Sequence, residues 1–290
     1  MRHLELFAGI GGFRRAMDLL TQDHIMDFHC IGYSEIDAKA VKTYCANYHP
    51  EVDGELAMGD IVEFTSNKNN MDNLPQFDLV TGGFPCQTFS MMGKQAGFNE
   101  DRGQMFFHII DILAAKKPRY VLLENVKNLK SHDKGRTFAR IKQELEALGY
   151  QVFTDIFNTA QFHLPQTRNR LLIFATTEPV PADFEVQFTC DNIAVLFDQV
   201  YQDLGTYHYQ SVNDILSLEV DKKYFLSEKI KPTLLADGSA NFKSKSDINM
   251  SIARPLTATM HKMHRACQDN YYSQDFIESH GAINPVKTMT

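Results

Sequence analysis

Several features that would assign a chain to a class are scarce in this sequence. Five cysteines (Cys30, Cys45, Cys86, Cys190 and Cys267) are spread over 290 residues, odd in number and without a C-x-x-C pair. That excludes a disulfide framework and a typical zinc knuckle, and it makes reduced thiols the default. No apolar run approaches the roughly 20 residues of a membrane span. Glu5 interrupts the first apolar stretch, so the amino terminus does not read as a signal peptide. The expectation is an intracellular protein with no membrane partner. A basic excess is also missing: the formal net charge of −7 argues against indiscriminate coating of nucleic acid, although a local basic cleft remains open to it. There is no internal repeat and no low-complexity tract. What is present is an ordinary globular composition, 43% hydrophobic and 22% charged, long enough for one large and one small domain.

To about residue 177 the pattern alternates strand and helix. Leu4 to Phe7 reads as a strand, Gly12 to Leu20 as a helix, Cys30 to Ile36 as a strand and Ala38 to Tyr48 as a helix. A strand ending at Val80 to Gly83 follows, then a helix from Gln104 to Ala115 and the strand Tyr120 to Val126. Lys134 to Leu148 carries Phe138, Ile141, Leu145 and Leu148 at helical spacing, and Gln151 to Phe157 and Arg170 to Thr176 read as closing strands. This order predicts a doubly wound α/β domain. Beyond it, Pro179, Val180 and Pro181 look like a hinge leading into a polar, irregular region with short strand-like pieces up to Ala253. Basic residues recur after successive strands: Lys116, Lys117 and Arg119, then Lys127, Lys130, Lys134, Arg136 and Arg140, then Arg168 and Arg170. Each cluster alone is an ordinary solvated surface.

Four stretches carry chemistry. Phe7-Ala8-Gly9-Ile10-Gly11-Gly12 lies between the first strand and the first helix, where glycines admit a ligand to the backbone and the helix start offers unpaired N–H groups. A dinucleotide fingerprint would want a third small residue at position 14, which is Arg14. Glu35 at the second strand end can accept the hydroxyls of a ribose, and Asp60 ends the third, so one nucleoside without a pyrophosphate fits these strand ends. Turn glycines and solvated acids are the alternative at each position. Cys86, in Gly82-Gly83-Phe84-Pro85-Cys86-Gln87-Thr88-Phe89-Ser90, begins a loop at a strand's carboxyl end and is a candidate nucleophile; a structural cysteine at a turn is the alternative. Glu124 follows four apolar strand residues, where a carboxylate is costly to bury without a partner, so it could hold or donate a proton. Its structural alternative is pairing with Lys127 or Arg168. In Gln166-Thr167-Arg168-Asn169-Arg170, alternate long polar side chains share a direction if extended and could line an anion or base pocket.

Phe7 to Gly12, Gly83-Phe84-Pro85-Cys86-Gln87, Glu124-Asn125-Val126, Gln166 to Arg170 and Arg254-Pro255-Leu256-Thr257 together resemble the ordered motifs of the DNA cytosine-5 methyltransferases of bacterial restriction-modification systems. The match is close over residues 3 to 177 and weaker at 254 to 257. The resemblance implies a Rossmann-like, S-adenosylmethionine-dependent methyltransferase domain at 1–177, a smaller irregular or β target-recognition domain at 178–253 and a partial return segment at 254–290. It also implies double-stranded DNA as partner, a cognate restriction endonuclease acting on the same site, and a cytoplasmic, bacterial or phage-encoded protein. The target cytosine is flipped out of the duplex. Cys86 adds to C6, Glu124 hydrogen-bonds N3 and N4, and Arg168 holds O2 or a flanking phosphate. For the cofactor, Phe7 stacks on adenine, Ala8, Gly9, Gly11 and Gly12 admit the methionine portion, and Glu35 takes the ribose. Asp60 takes the adenine amino group, Ile36 and Ile61 pack on the ring faces, and Pro85, like Asn125, shapes the pocket. Lys94 and Gln95, in a stretch resembling the family's mobile loop, together with Arg170 and Thr257, are the implied DNA contacts.

One departure from the family pattern concerns the carboxyl-terminal side. Family members continue past the Arg254 motif into a Gly-Asn segment that packs against the first motif, and Gly281 to Val286 is too short and too near Thr257 to supply it. The expectation is a truncated chain or one completed by a second polypeptide, with weak cofactor binding by this chain alone. His261, His264 and Cys267 offer three donors at helical spacing with no fourth, so no metal is expected. An RNA cytosine-5 methyltransferase and a non-catalytic DNA-binding subunit are the competing classes.

Overall fold

The computed structural model describes residues 1–85, 105–204, 209, 211–237, 245–256 and 266–281. Along them the chain forms β1 (Arg2–Leu6), α1 (Gly12–Gln22), β2 (His29–Ser34), α2 (Ala38–Tyr48), α3 (Pro50–Asp53) and β3 (Leu56–Ala57). These are followed by α4 (Ile61–Ser66), α5 (Lys68–Asn73), β4 (Leu79–Gly82), α6 (Met105–Lys116), β5 (Tyr120–Val126), α7 (Arg136–Ala147), β6 (Gln151–Asn158) and β7 (Asn169–Thr176). The strands make one seven-stranded sheet in the order β3-β2-β1-β4-β5-β7-β6. Pairing is parallel from β3 through β5, and β7 joins β5 antiparallel. Because β1 is flanked by β2 on one side and β4 on the other, the gap beyond their carboxyl ends is a topological switch point, where ligands settle in sheets of this kind.

The two faces of the central strands differ. Leu4 and Leu6 of β1, Val80 of β4, Val121 and Leu123 of β5, and Leu171 and Ile173 of β7 lie in one apolar core with Phe106, Ile109, Ile112 and Leu113 of α6 and Ile141 and Leu145 of α7. The helical residues recur every three or four positions, the spacing that keeps them on one stripe. The alternate positions of β1 are His3 and Glu5, which are fully buried and polar in a strand type that is ordinarily apolar on both faces. The sequence spacing extends the seventh helix back to Lys134. In the structure Asp133 (φ 49), Lys134 (φ 59) and Gly135 (φ 85) are left-handed, so α7 starts at Arg136.

The chain divides into two compact units, Met1–Phe157 with Arg170–Ile193, and Asn158–Asn169 with Ala194–Thr290. The sequence reading places its boundary at 177, whereas the segment joining β6 to β7 belongs to the second unit. Between 178 and 253 the expected strand-like pieces are absent among the described residues, which instead form α8 (Phe184–Gln187), α9 (Cys190–Leu204), α10 (Lys231–Leu235) and short 3₁₀ turns. The reason is visible in Ile193, Phe197 and Val200, whose spacing of three and four residues fits a helix. Within the second unit, Phe197 meets Phe162 edge to face at 5.4 Å, and Asp198 pairs with His163 at 2.6 Å. Gln166 bridges Ala253 in parallel, which fixes the Arg254 segment beside Thr167. The final described helix is α11 (Gln274–Glu278). No helix among the described residues is long and apolar enough to cross a membrane.

Leu123 is fully buried at the centre of the apolar core, so Leu123→Ala should lower unfolding stability by about 2–5 kcal/mol, as read by urea denaturation.

Candidate active site

The site is assembled from the carboxyl ends of β1, β2, β3, β4 and β5. After Leu6 the chain turns sharply: Phe7 (φ 53), Gly9 (φ 57) and Gly11 (φ 88) are all left-handed. An aromatic residue in that region is strained, and such strain concentrates at functional sites. Two hydrogen bonds tie this turn to the end of β2, and a third ties that end to Gly59 beyond β3. Ala8 N–H donates to the Ser34 carbonyl at 2.9 Å, Gly9 N–H to Glu35 Oε2 at 2.8 Å, and Ser34 Oγ to the Gly59 carbonyl at 2.9 Å. Glu35 Oε1 also accepts from Ile36 and Asp37 N–H, each at 2.8 Å. Three of the carboxylate's roughly four acceptor positions are therefore filled by backbone. About one acceptor position is left open among the described residues.

The turn leaves room for a ligand. A Cβ built at Gly9, Gly12 or Gly59 would meet no atom of the described residues within 4 Å. Beside this space two large apolar side chains are held outward, Ile36 at 74% exposure and Ile10 at 62%. Ile10 escaped the sequence reading, and its only signal was an apolar residue between two glycines. Asp60 caps α4 by accepting from Val62 N–H at 2.8 Å. Ile61, expected against an adenine face, is only 2% exposed and sits in the apolar core. The Asp60 cap starts α4 at Ile61, which leaves that side chain in the core.

The second half of the site follows from β4 and β5. Asn125, buried, donates from Nδ2 to the Phe84 carbonyl at 2.8 Å, and Phe84 packs on Phe106 with ring centroids 5.5 Å apart. The backbone that leads into exposed Pro85 is thereby fixed against β5. Glu124 is half-buried on the opposite face of β5 from Asn125. The register pairs Val126 with Arg170, which places Arg170 diagonally across from Glu124 on the same face. Arg170 Nε meets Glu124 Oε1 at 2.5 Å. Glu124 Oε2 lies 3.3 Å from where a Cβ on Gly83 would sit, so only glycine leaves that oxygen uncrowded.

The partner of Glu124 is thus Arg170, in place of the Lys127 or Arg168 weighed from sequence, because antiparallel register brings the later arginine across. Arg168 belongs to the second unit, where its carbonyl accepts from Thr159 N–H at 3.1 Å and its N–H donates to Thr159 Oγ1 at 3.0 Å. Cys86, Lys94, Gln95 and Thr257 lie outside the described residues, as do His261 and His264 of the three-donor motif. No group of three or more His, Cys, Asp or Glu among the described residues could hold a metal ion.

Behind the glycine turn is a buried polar cluster that the sequence reading missed. Glu5 is fully buried, and neither carboxylate oxygen has a hydrogen-bond partner among the described residues. Burial pushes its carboxyl up to about 7. The Arg14 and Phe13 N–H groups, which lie near the carboxyl without making a hydrogen bond, pull it back together with the Arg14 charge, and the Glu55 charge adds to the rise. Burial drives His3 down to about 3, so it stays neutral, with Nε2 2.8 Å from Thr81 Oγ1.

A mixed sheet with a switch point, a glycine turn after β1 and a carboxylate near the end of β5 define a doubly wound α/β protein. The chain belongs to the C-5 cytosine-specific DNA methylase family, whose pattern matches residues 1–289. It is 38% identical over 227 residues to the type II methyltransferase M.NlaX of Neisseria lactamica, covering 78% of this chain and 63% of that protein. It is 32% identical over 254 residues to the orphan methyltransferase M.SPRI of Bacillus phage SPR, covering 83% and 55%. The chain therefore spans less than two thirds of these relatives. In fold it is similar to the S. pombe Dnmt2 methyltransferase, with a TM-score of 0.67 at 23% identity over 93% of this chain and 75% of that one.

Two outcomes follow. Gly11→Ala would place a Cβ 2.2 Å from the Tyr48 ring at φ +88; it should cost about 1–3 kcal/mol of stability in thermal melts. For Glu5, the folded pKa of about 7 lies above the unfolded 4.5, so its contribution is fully present below pH 4.5 and is lost as pH rises through 7. Glu5→Gln should match wild type at pH 4.5 and exceed it at pH 8 by up to about 3 kcal/mol in denaturant titrations.

Proposed function

We propose that this chain transfers a methyl group from S-adenosylmethionine to C5 of a flipped-out cytosine in a specific double-stranded DNA sequence, through a covalent bond between Cys86 and C6. The observation that carries this reading is the placement of Glu124. Arg170 engages one carboxylate oxygen and the other faces Gly83, three residues before the cysteine, while Asn125 holds the carbonyl of Phe84.

The residues present fit the cofactor: open space flanks Gly9, Gly12 and Gly59, and Ile36 lies at the rim. Phe7, Ala8, Gly9, Gly11 and Gly12 would receive the methionine portion and the adenine edge, Glu35 the ribose, and Asp60 the adenine amino group, with Pro85 closing the far side. S-adenosylmethionine would supply the electrophilic methyl group for C5. Cytosine accepts a nucleophile at C6 only if charge on the ring is relieved, and Glu124 does this at N3 and N4. The Cys86 thiolate forms a bond to C6 with its own electron pair, and the C5=C6 π pair moves onto C5, which becomes the carbon nucleophile. After C5 is methylated, loss of the C5 proton expels Cys86 and restores the ring. Arg170 sets the angle of the Glu124 carboxylate. Arg168 engages O2 or a flanking phosphate, and Lys94, Gln95 and Thr257 contact the DNA backbone, where such contacts fix register rather than sequence.

DNA containing 5-fluorocytosine, which has no C5 proton to lose, should trap a covalent complex that survives denaturing gels. Cys86→Ala should form none, and Glu124→Gln should form it about 10²–10⁴-fold more slowly. An adduct of undiminished yield in Cys86→Ala would remove the cysteine from this role.

A further inference from the structure

Arg14 occupies the position where a dinucleotide turn would carry a small residue, and the structure shows what it does there. Its side chain is only 11% exposed and meets Glu55, itself 1% exposed, as well as Asp18 at 2.9 Å and Asp53 at 3.8 Å. The same guanidinium lies over the Tyr48 ring, 5.4 Å from its centroid. Tyr48 in turn donates its hydroxyl to the Gly11 carbonyl at 2.8 Å. Gly11 caps α1 without a side-chain hydrogen bond. A continuous set of contacts therefore runs from the buried ion pair to the backbone of the glycine turn.

Glu5 lies beneath this set. The titratable groups that act on Glu5 are Arg14 on α1, Tyr44 and Tyr48 on α2, and Glu55; around Arg14 and Glu55 in turn lie His3 on β1, Cys30 and Tyr33 on β2, Asp18 on α1 and Asp53 on α3. Burial keeps His3, Cys30, Tyr33 and Tyr44 uncharged near neutrality. Among the described residues Arg14 is then the one cation within this buried group, and Glu55 already holds it. Two carboxylates closed off from water cannot both ionise beside a single guanidinium without loss. The arrangement described, with Arg14 on Glu55 and over Tyr48, is the one that suits an uncharged Glu5. An ionised Glu5 would draw Arg14 away from both.

We propose that Glu5 is a positioning residue for the glycine turn: its proton keeps Arg14 on Glu55 and Tyr48, and binding of the nucleoside cofactor is linked to uptake of that proton. This rests on the reading of the turn as an S-adenosylmethionine site. Glu5 touches no ligand; it acts through Arg14, Tyr48 and the Gly11 carbonyl.

Titration calorimetry of the chain with S-adenosylmethionine between pH 6 and 8.5 tests it. Wild type should bind at least about fivefold more weakly at the upper end than Glu5→Gln, with the two equal at pH 6. Comparing the two profiles removes the titration of the cofactor's own amino group, which both share. At pH 7.5, wild-type binding heats in buffers of different ionisation enthalpy should show a proton uptake that Glu5→Gln lacks. Parallel profiles, or equal proton counts, overturn the linkage while leaving the cofactor reading intact. Binding by neither protein at any pH overturns the cofactor reading and this inference with it. Should Glu5→Gln not fold, the wild-type buffer series alone decides, since proton release or no exchange contradicts the proposal.

Discussion

The register of the central sheet is the constraint on which the site depends. Leu6 of β1 is level with Gly82 of β4, Gly82 with Leu123 of β5, and Leu123 with Ile173 of β7. The residues that follow the first three, Phe7, Gly83 and Glu124, therefore stand at one height although they are far apart in sequence, with Glu124 still paired to β7. A slip of one residue in any pairing would turn its side chains to the opposite face. The buried apolar face formed by Leu4, Leu6, Val80, Val121 and Leu123 is what resists such a slip. The geometry of the proposed site is thus a consequence of core packing, because the strands that carry it are held in register by their buried apolar face.

The other face of the same strands carries the polar load. His3, Glu5 and Thr81 alternate with core leucines and a valine, and they end beneath α1 and α2. Such groups destabilise a fold unless paired, and two of them keep unpartnered atoms among the described residues. Their placement under the glycine turn ties that cost to the turn's geometry. Arg14 joins the two, with its guanidinium among carboxylates on one side and against the Tyr48 ring on the other.

Much of this was legible in the sequence because strong local signals agreed with the fold. Ala38–Tyr48 and Tyr120–Val126 have the bounds that periodicity gives them, since Asp37 caps the helix and the strand's apolar run is uninterrupted up to Glu124. The glycine turn and the strand-end carboxylates were likewise readable as residue types at strand ends. Long-range pairing was not. That Arg170, two residues after Arg168, reaches Glu124 depends on antiparallel register, which no local pattern encodes. The Asp60 cap starts α4 at Ile61, and the helix at 190–204 carries its apolar residues at helical spacing inside a longer stretch whose polar character obscures it. Arg14 was noticed only as a departure from another motif, because its partners Glu55 and Tyr48 are remote in sequence.

The claim at the centre of this account is that the Glu124 and Cys86 strand ends form one machine for cytosine C5 methylation of DNA. Bisulfite sequencing of DNA and RNA from cells expressing the wild-type chain or Cys86→Ala tests it most directly. The account predicts conversion-resistant cytosines in DNA, confined to one sequence context and absent with Cys86→Ala. Resistant cytosines in RNA alone, or in DNA at equal frequency with Cys86→Ala, would contradict it.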